Sequence, residues 1–209
     1  MSTDYVEQTT ALIGRVEAQE LLPHAVRLLA DGEPVALEQL AAACGWPVED
    51  VEAALSAQTS AERDDHGRLV GLALTLRPTT HRFTVGARTL FAWCASDTLM
   101  IPVILGRPAL VESTCPQTGQ PIRIELTPDG VERVDPPDAV MTAVRPPGQL
   151  ADVRSATCAH GHFFSSVAAT TAWSGAHPDG HIYPVEDAFR LDRQVIKQLG
   201  WDASRAQPH

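Results

Sequence analysis

The chain divides by the rhythm of its apolar positions. Over residues 5–30, Leu12, Ile13, Val16, Leu21, Leu22, Val26, Leu28 and Leu29 recur at helical spacing, and DGEP at 31–34 breaks the pattern. The next stretch, VALEQLAAACGWPVEDVEAALSAQT, predicts two helices around a turn at Gly45. Pro47 and Glu49 open the second helix, and Leu37, Leu40, Ala41, Val48, Val51 and Leu55 are expected to face inward. RDDHGRLVGLALTLRPTTHRFTV then alternates apolar and polar residues about DDHG, the pattern of a β-hairpin. Helix, helix–turn–helix and hairpin in that order predict a winged-helix-like module over residues 1–80.

From residue 81 the rhythm changes. HRFTVGARTLFAWCASDTLMIPVILG runs from a strand into a buried apolar helix, bounded or kinked near Pro102 and stopped by Gly106. ALVEST, PIRIELT and AVMTAVR are short strands, punctuated by the turns CPQTG, TPDG and DPPD. PPGQ, 146–149, is a loop, and DVRSATCAHGHFFSS is strand-like. PVEDAFRLDRQVIKQLGW is a terminal helix with Val185, Ala188, Phe189, Leu191, Val195, Ile196 and Leu199 on its apolar side, followed by a frayed tail, DASRAQPH. The expected fold class is α+β: the N-terminal winged-helix-like helical module, then a mixed α/β domain with antiparallel sheets over residues 81–209.

Composition narrows what such a fold does. The 209 residues suffice for one substantial core, or for a small domain beside a medium one. A net charge of -10 opposes nonspecific attraction to nucleic acid or to an anionic membrane. The helix that would read DNA begins with Glu49, Asp50 and Glu52 and offers no Lys or Arg before Arg63, whereas phosphates and guanine edges require donors. The winged helix is therefore expected to be a structural or covering module, with neither nucleic acid nor membrane as partner. MSTDYVEQTT lacks a basic start followed by an apolar run, and no apolar stretch approaches a membrane span, so a cytoplasmic location is expected. In that compartment Cys44, Cys94, Cys115 and Cys158 are expected to be thiols.

Two local clusters carry candidate chemistry. In FAWCASDTLM, Cys94 and Asp97 stand at i and i+3, so on a helix they share a face. Taken alone, they are read more economically as a small core thiol and a helix N-cap. In CAHGHFF, Cys158, His160 and His162 alternate, which on a strand puts all three on one face. A structural zinc site lacks its paired Cys-x-x-Cys, and a Cys–His nucleophile lacks a visible oxyanion hole. Locally, a core cysteine with two hydrogen-bonded or surface histidines is the simpler account. Cys115, at the mouth of a turn, reads as structural and Cys44 as core.

Together these segments are more specific. FAWCASDTLMIPVILGRPALVESTC, DVRSATCAHGHFF and PVEDAF, with GWPVEDVEAAL and DDHGRLVGLALTLRPT before them, resemble the bacterial organomercurial lyase (alkylmercury lyase) family over nearly the whole chain. The family's Trp-Cys-x-x-Asp-Thr-Leu segment is matched by Trp93, Cys94, Asp97, Thr98 and Leu99. Its later Cys followed by His-x-His-Phe-Phe is matched by Cys158, His160, His162, Phe163 and Phe164, about sixty residues on. The resemblance implies an enzyme that cleaves the carbon–mercury bond of R–Hg⁺ by protonolysis to R–H and Hg(II), with residues 81–209 as its catalytic domain. It implies Cys94, Cys158 and Asp97 as the catalytic set. Cys94 and Cys158 would ligate the mercury, with Asp97 as a candidate third ligand, while Cys115 matches a structural cysteine. Some members carry a second cysteine after the later catalytic one; here Ala159 stands there, which removes a spare thiol. No cofactor is implied, because mercury is itself substrate and product. The expected partners are the organomercurial, low-molecular-weight thiols and a mercuric reductase that takes the ion. A cysteine-based, soft-metal-sensing winged-helix transcriptional regulator is the alternative; it needs a basic DNA face and has no use for Asp97.

Overall fold

The structure, a computed structural model, describes residues 2–16, 18–145 and 151–203; the loop expected at 146–149 and residues 204–209 of the tail lie outside the described residues. The N-terminal apolar run is not one helix. Helix α1 (Ser2–Ile13) is followed by a 3-10 turn at Gln19–Leu21, and α2 (Leu22–Leu29) starts afresh. Ala18 takes a left-handed conformation (φ 60°), and Pro23 sits in the first turn of α2, where an intrahelical N–H is not required. Helices α3 (Leu37–Cys44) and α4 (Val48–Ala57) join through Gly45, whose φ of 71° supplies the left-handed cap that ends α3. Leu40, Ala41, Val51 and Leu55 are buried, but Val48, expected inside, is 37% exposed at the first position of α4. Cys44 is half-buried rather than a core residue, its thiol donating to the Leu40 carbonyl at 3.0 Å.

The hairpin about DDHG pairs β1 (Glu62–Arg63) with β2 (Leu69–Leu72). Then follow β3 (Leu74–Thr75), β4 (His81–Val85), β5 (Arg88–Ala92), α5 (Ala95–Leu105), β6 (Ala109–Thr114), β7 (Pro121–Leu126), β8 (Val131–Asp135) and β9 (Val140–Ala143). The chain ends with α6 (Val153–Ala156), β10 (Phe163–Phe164), α7 (Thr171–Ala176), β11 (His181–Pro184) and α8 (Val185–Leu199). Among the described residues, eight strands form one antiparallel sheet in the order β1-β2-β3-β5-β4-β6-β7-β8, and β10-β9-β11 form a smaller one. β3 lies between the hairpin and β5, with Leu74 opposite Ala92 and Thr75 opposite Phe91. The sheet is therefore continuous across residue 80.

The fold is α+β, as the periodicity predicts, and two segments depart from it. VERVD, not foreseen, is β8, half-exposed because it borders the large sheet. Residues 152–166, expected as a strand, begin as helical turns. The Asp152 carboxylate accepts from the Ser155 N–H and starts α6, a 3-10 turn covers Cys158–His160, and only Phe163 and Phe164 pair with β9.

Helix α5 is buried on most sides, with Leu99, Ile101, Val103 and Ile104 at or near zero exposure, as suits a central helix. It continues through Pro102 to Leu105, and Gly106 (φ 64°) caps it. Helix α8 packs along α5 through Val185, Ala188, Phe189 and Ile196, and α1 lies on α8 through Tyr5, Leu191 and Val195. One hydrophobic core joins Leu21, Leu29 and Leu40 of the first half to Phe83, Leu99 and Ile124 of the second.

Candidate active site

Strand β5 delivers the chain to the start of α5, where the Trp93 N–H is held by the Ala73 carbonyl at 2.9 Å. Cys94 is the N-cap of α5, with extended backbone (φ -146°, ψ 175°), and Asp97 is the third helical residue. The alternative of Asp97 as N-cap is thus corrected: the thiol caps. The Cys94 sulfur accepts from the Asp97 N–H, and Asp97 Oδ2 accepts from the Cys94 N–H at 3.0 Å, a reciprocal capping box. This spacing aims thiol and carboxyl at one point.

Cys158 reaches that point from the other side. Its 3-10 turn follows α6, and its thiol lies 3.9 Å from Asp97 Oδ2. The turn is pressed onto Cys94 by Gly161, whose carbonyl accepts from the Ala95 N–H at 3.1 Å. A β-carbon on Gly161 would lie 3.2 Å from Cys94 Cβ and 3.6 Å from its sulfur, so glycine permits the close approach. One ligand atom each from Cys94, Asp97 and Cys158 lie within 4.8 Å of one another. Both thiols are buried, and all four cysteines of the chain are unpaired by disulfides.

The histidines of CAHGHFF do not join them, because the segment is not a strand. His160 Nδ1 faces His177 Nε2 at 3.0 Å, and His162 stacks toward His81, ring centroids 6.3 Å apart. Cys115, fully buried, is not a member of that cluster. It accepts from the Ser165 hydroxyl at 3.7 Å. Burial opposes ionisation of Cys115, but hydrogen bonds from Thr118 and Ser165 outweigh it and bring the thiol down to about 7.

Both Cys94 and Asp97 are shifted toward their protonated forms relative to their ordinary values. Cys94 is pushed well above its ordinary value, first by its hydrogen bond with Cys158, then by burial and by the Asp97 charge, with the Asp97 N–H working the other way. Asp97 keeps some surface toward the cavity, yet burial dominates and lifts its carboxyl to about 6, against the pull of Cys94, Cys158 and the Arg154 charge. Arg154 is a residue that the pattern alone does not reveal. Its guanidinium lies 5.4 Å over the Trp93 ring and is ion-paired with Glu62, whose other oxygen takes the Thr75 hydroxyl. The hairpin of the first half thereby anchors the helix that leads into Cys158.

The cluster opens on a largely apolar cavity of about 120 Å³. Leu12, Ile13 and Val16 line it from α1 and the turn after it, Leu72 and Ala73 from the wing, and Met100 and Ile104 from α5. Two thiols and a carboxyl at the end of an apolar cavity suit a soft metal that carries an organic group: sulfur for the metal, apolar walls for the group, and a proton beside both.

Comparison with known proteins agrees. A profile of the family described as "Alkylmercury lyase" matches residues 74–197, and one described as "Helix-turn-helix domain of alkylmercury lyase" matches residues 14–73. An alkylmercury lyase of Staphylococcus epidermidis is 46% identical over 170 residues, 81% of this chain and 78% of that one. One from Pseudomonas putida is 39% identical over 180 residues, 86% of this chain and 84% of that one. A crystal structure of the mercury-bound form of MerB2 superposes with a TM-score of 0.74 at 26% identity, covering 94% of this chain and 99% of that one.

Proposed function

Since the chain belongs to the alkylmercury lyase family and is an organomercurial lyase, we propose that it cleaves R–Hg⁺ by protonolysis, with Cys94 and Cys158 holding mercury and Asp97 carrying the proton. One observation carries this reading: the two sulfurs and the carboxylate lie within 4.8 Å of one another, at the end of an apolar cavity. The mercury-bound state of the solved relative supports mercury as the occupant.

Mercury(II) is soft and prefers thiolate to nitrogen or oxygen. Cys94 enters as a thiol, so forming its sulfur–mercury bond requires a proton acceptor, and Asp97, at about 6, is largely ionised near neutrality. Bonding of the second thiolate, Cys158, raises the coordination number and pushes electron density through mercury onto carbon. Carbon then takes the proton from Asp97, and the carbon–mercury pair stays with carbon. The balance is R–Hg⁺ plus two thiols giving R–H, Hg(II) on two thiolates, and one proton released. Low-molecular-weight thiols exchange the ion off the enzyme, and a mercuric reductase is the natural recipient. Residues 1–80 cover the site; the exposed Glu49 and Asp50 of α4 oppose a DNA-reading role.

Incubation with phenylmercury and excess thiol tests the reading, with benzene measured in the headspace. Benzene is expected from the wild type and none from Cys94→Ser or Cys158→Ser, because a hydroxyl is a hard ligand that cannot replace thiolate on mercury. Cleavage at the wild-type rate by Cys158→Ser would defeat the two-thiolate mechanism.

A further inference from the structure

Asp192 is a completely buried carboxyl outside the catalytic set. It stands on the inward side of α8, where its helical neighbours Ala188, Phe189, Val195 and Ile196 are all buried and apolar. A carboxyl is a costly choice for such a position, because removing it from water disfavours it unless its oxygens are satisfied. Both are. Oδ1 accepts from the Tyr5 hydroxyl of α1 at 2.5 Å, and Oδ2 accepts from the Ser96 hydroxyl of α5 at 3.1 Å. Ser96 lies between Cys94 and Asp97 in the chain, in the first turn of α5, and Tyr5 and Ser96 both line the cavity. Tyr5 is fixed further by the Arg145 guanidinium 4.4 Å over its ring and by an edge contact with Tyr183 at 4.9 Å.

We propose that Asp192 is a positioning residue for carbon–mercury cleavage, tying the covering helix α1 and the first turn of α5 to one rigid point on α8. The proposal rests on the lyase reading above and adds to it. Asp192 touches neither thiol. It acts through Ser96 on the turn that aims Cys94 and Asp97, and through Tyr5 on the helix that roofs the organic group. Each oxygen serves a different helix, so displacing one arm disturbs the other. Closing α1 over the substrate and setting the geometry of the catalytic turn then become coupled events. A carboxyl suits this better than an amide: either oxygen can accept, the hydroxyl oxygen included when the group is protonated, whereas the amide nitrogen of Asn cannot accept from a hydroxyl.

Cutting the arms separately tests this. Ser96→Ala leaves Tyr5 bonded to Asp192, and Tyr5→Phe leaves Ser96 bonded to it. With phenylmercury and excess thiol, Ser96→Ala is expected to lower kcat about tenfold with KM nearly unchanged, the effect of one lost hydrogen bond at a buried carboxyl. Tyr5→Phe is expected to raise KM more than it lowers kcat. In the double variant the two effects should depart from additivity by roughly threefold or more, because they meet at one carboxyl. Asp192→Asn should fall between wild type and the double variant. Both single variants keeping kcat and KM within about twofold, or fully additive effects in the double variant, would reduce Asp192 to a purely structural residue. A wild type that yields no benzene would defeat the lyase reading itself; an active wild type with indifferent variants defeats only the role of Asp192.

Discussion

At the scale of single residues, the chemistry turns on whether Asp97 is a cap or a proton carrier. It forms half of the capping box with Cys94, so both roles are open to it. Asp97→Asn separates them: the amide oxygen still accepts from the Cys94 N–H, and no titrating proton remains. Mercury binding should persist through the thiols, while hydrocarbon release falls roughly 10²–10⁴-fold, the usual worth of a positioned general acid. Bound mercury and hydrocarbon measured on the same sample check this; normal hydrocarbon yield and rate would leave Asp97 a cap only. Asp192 makes a different residue-scale prediction, on stability. Burial foremost lifts its carboxyl to about 7, so the folded protein holds that proton over a range where the unfolded chain, near 3.8, has lost it. Stability from this group is therefore full below about pH 4 and is lost as pH rises through about 7, on the order of 4 kcal/mol in all. Asp192→Asn should remove that slope, so its denaturation midpoint relative to wild type should rise between pH 5 and pH 8. His81 slopes the other way: buried and held down to about 4, it is lost to stability as pH falls below about 6.5. Comparing Asp192→Asn with wild type at each pH cancels that contribution. The i, i+3 spacing of Cys94 and Asp97 was legible in the sequence, but the capping box that joins them, with Cys94 rather than Asp97 as the N-cap, was not. Nor was the approach of Cys158, since no local pattern encodes a contact between segments that far apart; there the family resemblance supplied what periodicity could not.

At the scale of elements, the legible parts are those whose periodicity is long and unconflicted. Helices α3, α4, α5 and α8 and strands β6 and β7 fall where the apolar spacing puts them. The failures are short or mixed. DVRSATCAHGHFF alternates like a strand, but the Asp152 cap and the tight turn at Cys158 win over that alternation. In α8, the carboxyl at 192 falls in step with Val185, Ala188, Val195 and Leu199, a charge at a core position that the sequence displays openly. The junction of the Cys158 turn with α5 depends on a residue without a side chain. Gly161→Ala puts a methyl 3.2 Å from Cys94 Cβ, and the two segments must part by a few tenths of an ångström. The sulfurs separate with them. We expect Gly161→Ala to lose cleavage rate by about tenfold or more, in keeping with the sensitivity of aligned reacting groups to small displacements. Its loss of stability should stay near 1–3 kcal/mol, the ordinary cost of overpacking. Thermal unfolding and benzene release measured side by side check it, and an unchanged rate would mean that the turn yields without moving Cys158.

At the scale of the whole molecule, the two halves suggested by the sequence share a sheet and a core. β5 has β3 as its neighbour, the cavity takes Leu72 and Ala73 from the wing, and Glu62 holds Arg154. A chain of residues 81–209 alone would lose these contacts and uncover the apolar face under Leu21, Leu29 and Leu40. It should show no cooperative thermal transition by circular dichroism and release no hydrocarbon; a cooperative, active fragment would show the first half to be dispensable. The order of the large sheet has a further consequence, for behaviour in a crowded solution. An open sheet ends in two unpaired rows of N–H and C=O groups, each a template for another chain. Here one end is β1, only two residues long, and the other is β8, where Glu132, Arg133 and Asp135 lie exposed and Pro136 and Pro137 follow. A strand added to either border finds little length to pair with or meets charge and proline. The two rims of the large sheet that could seed fibres are thus blunted.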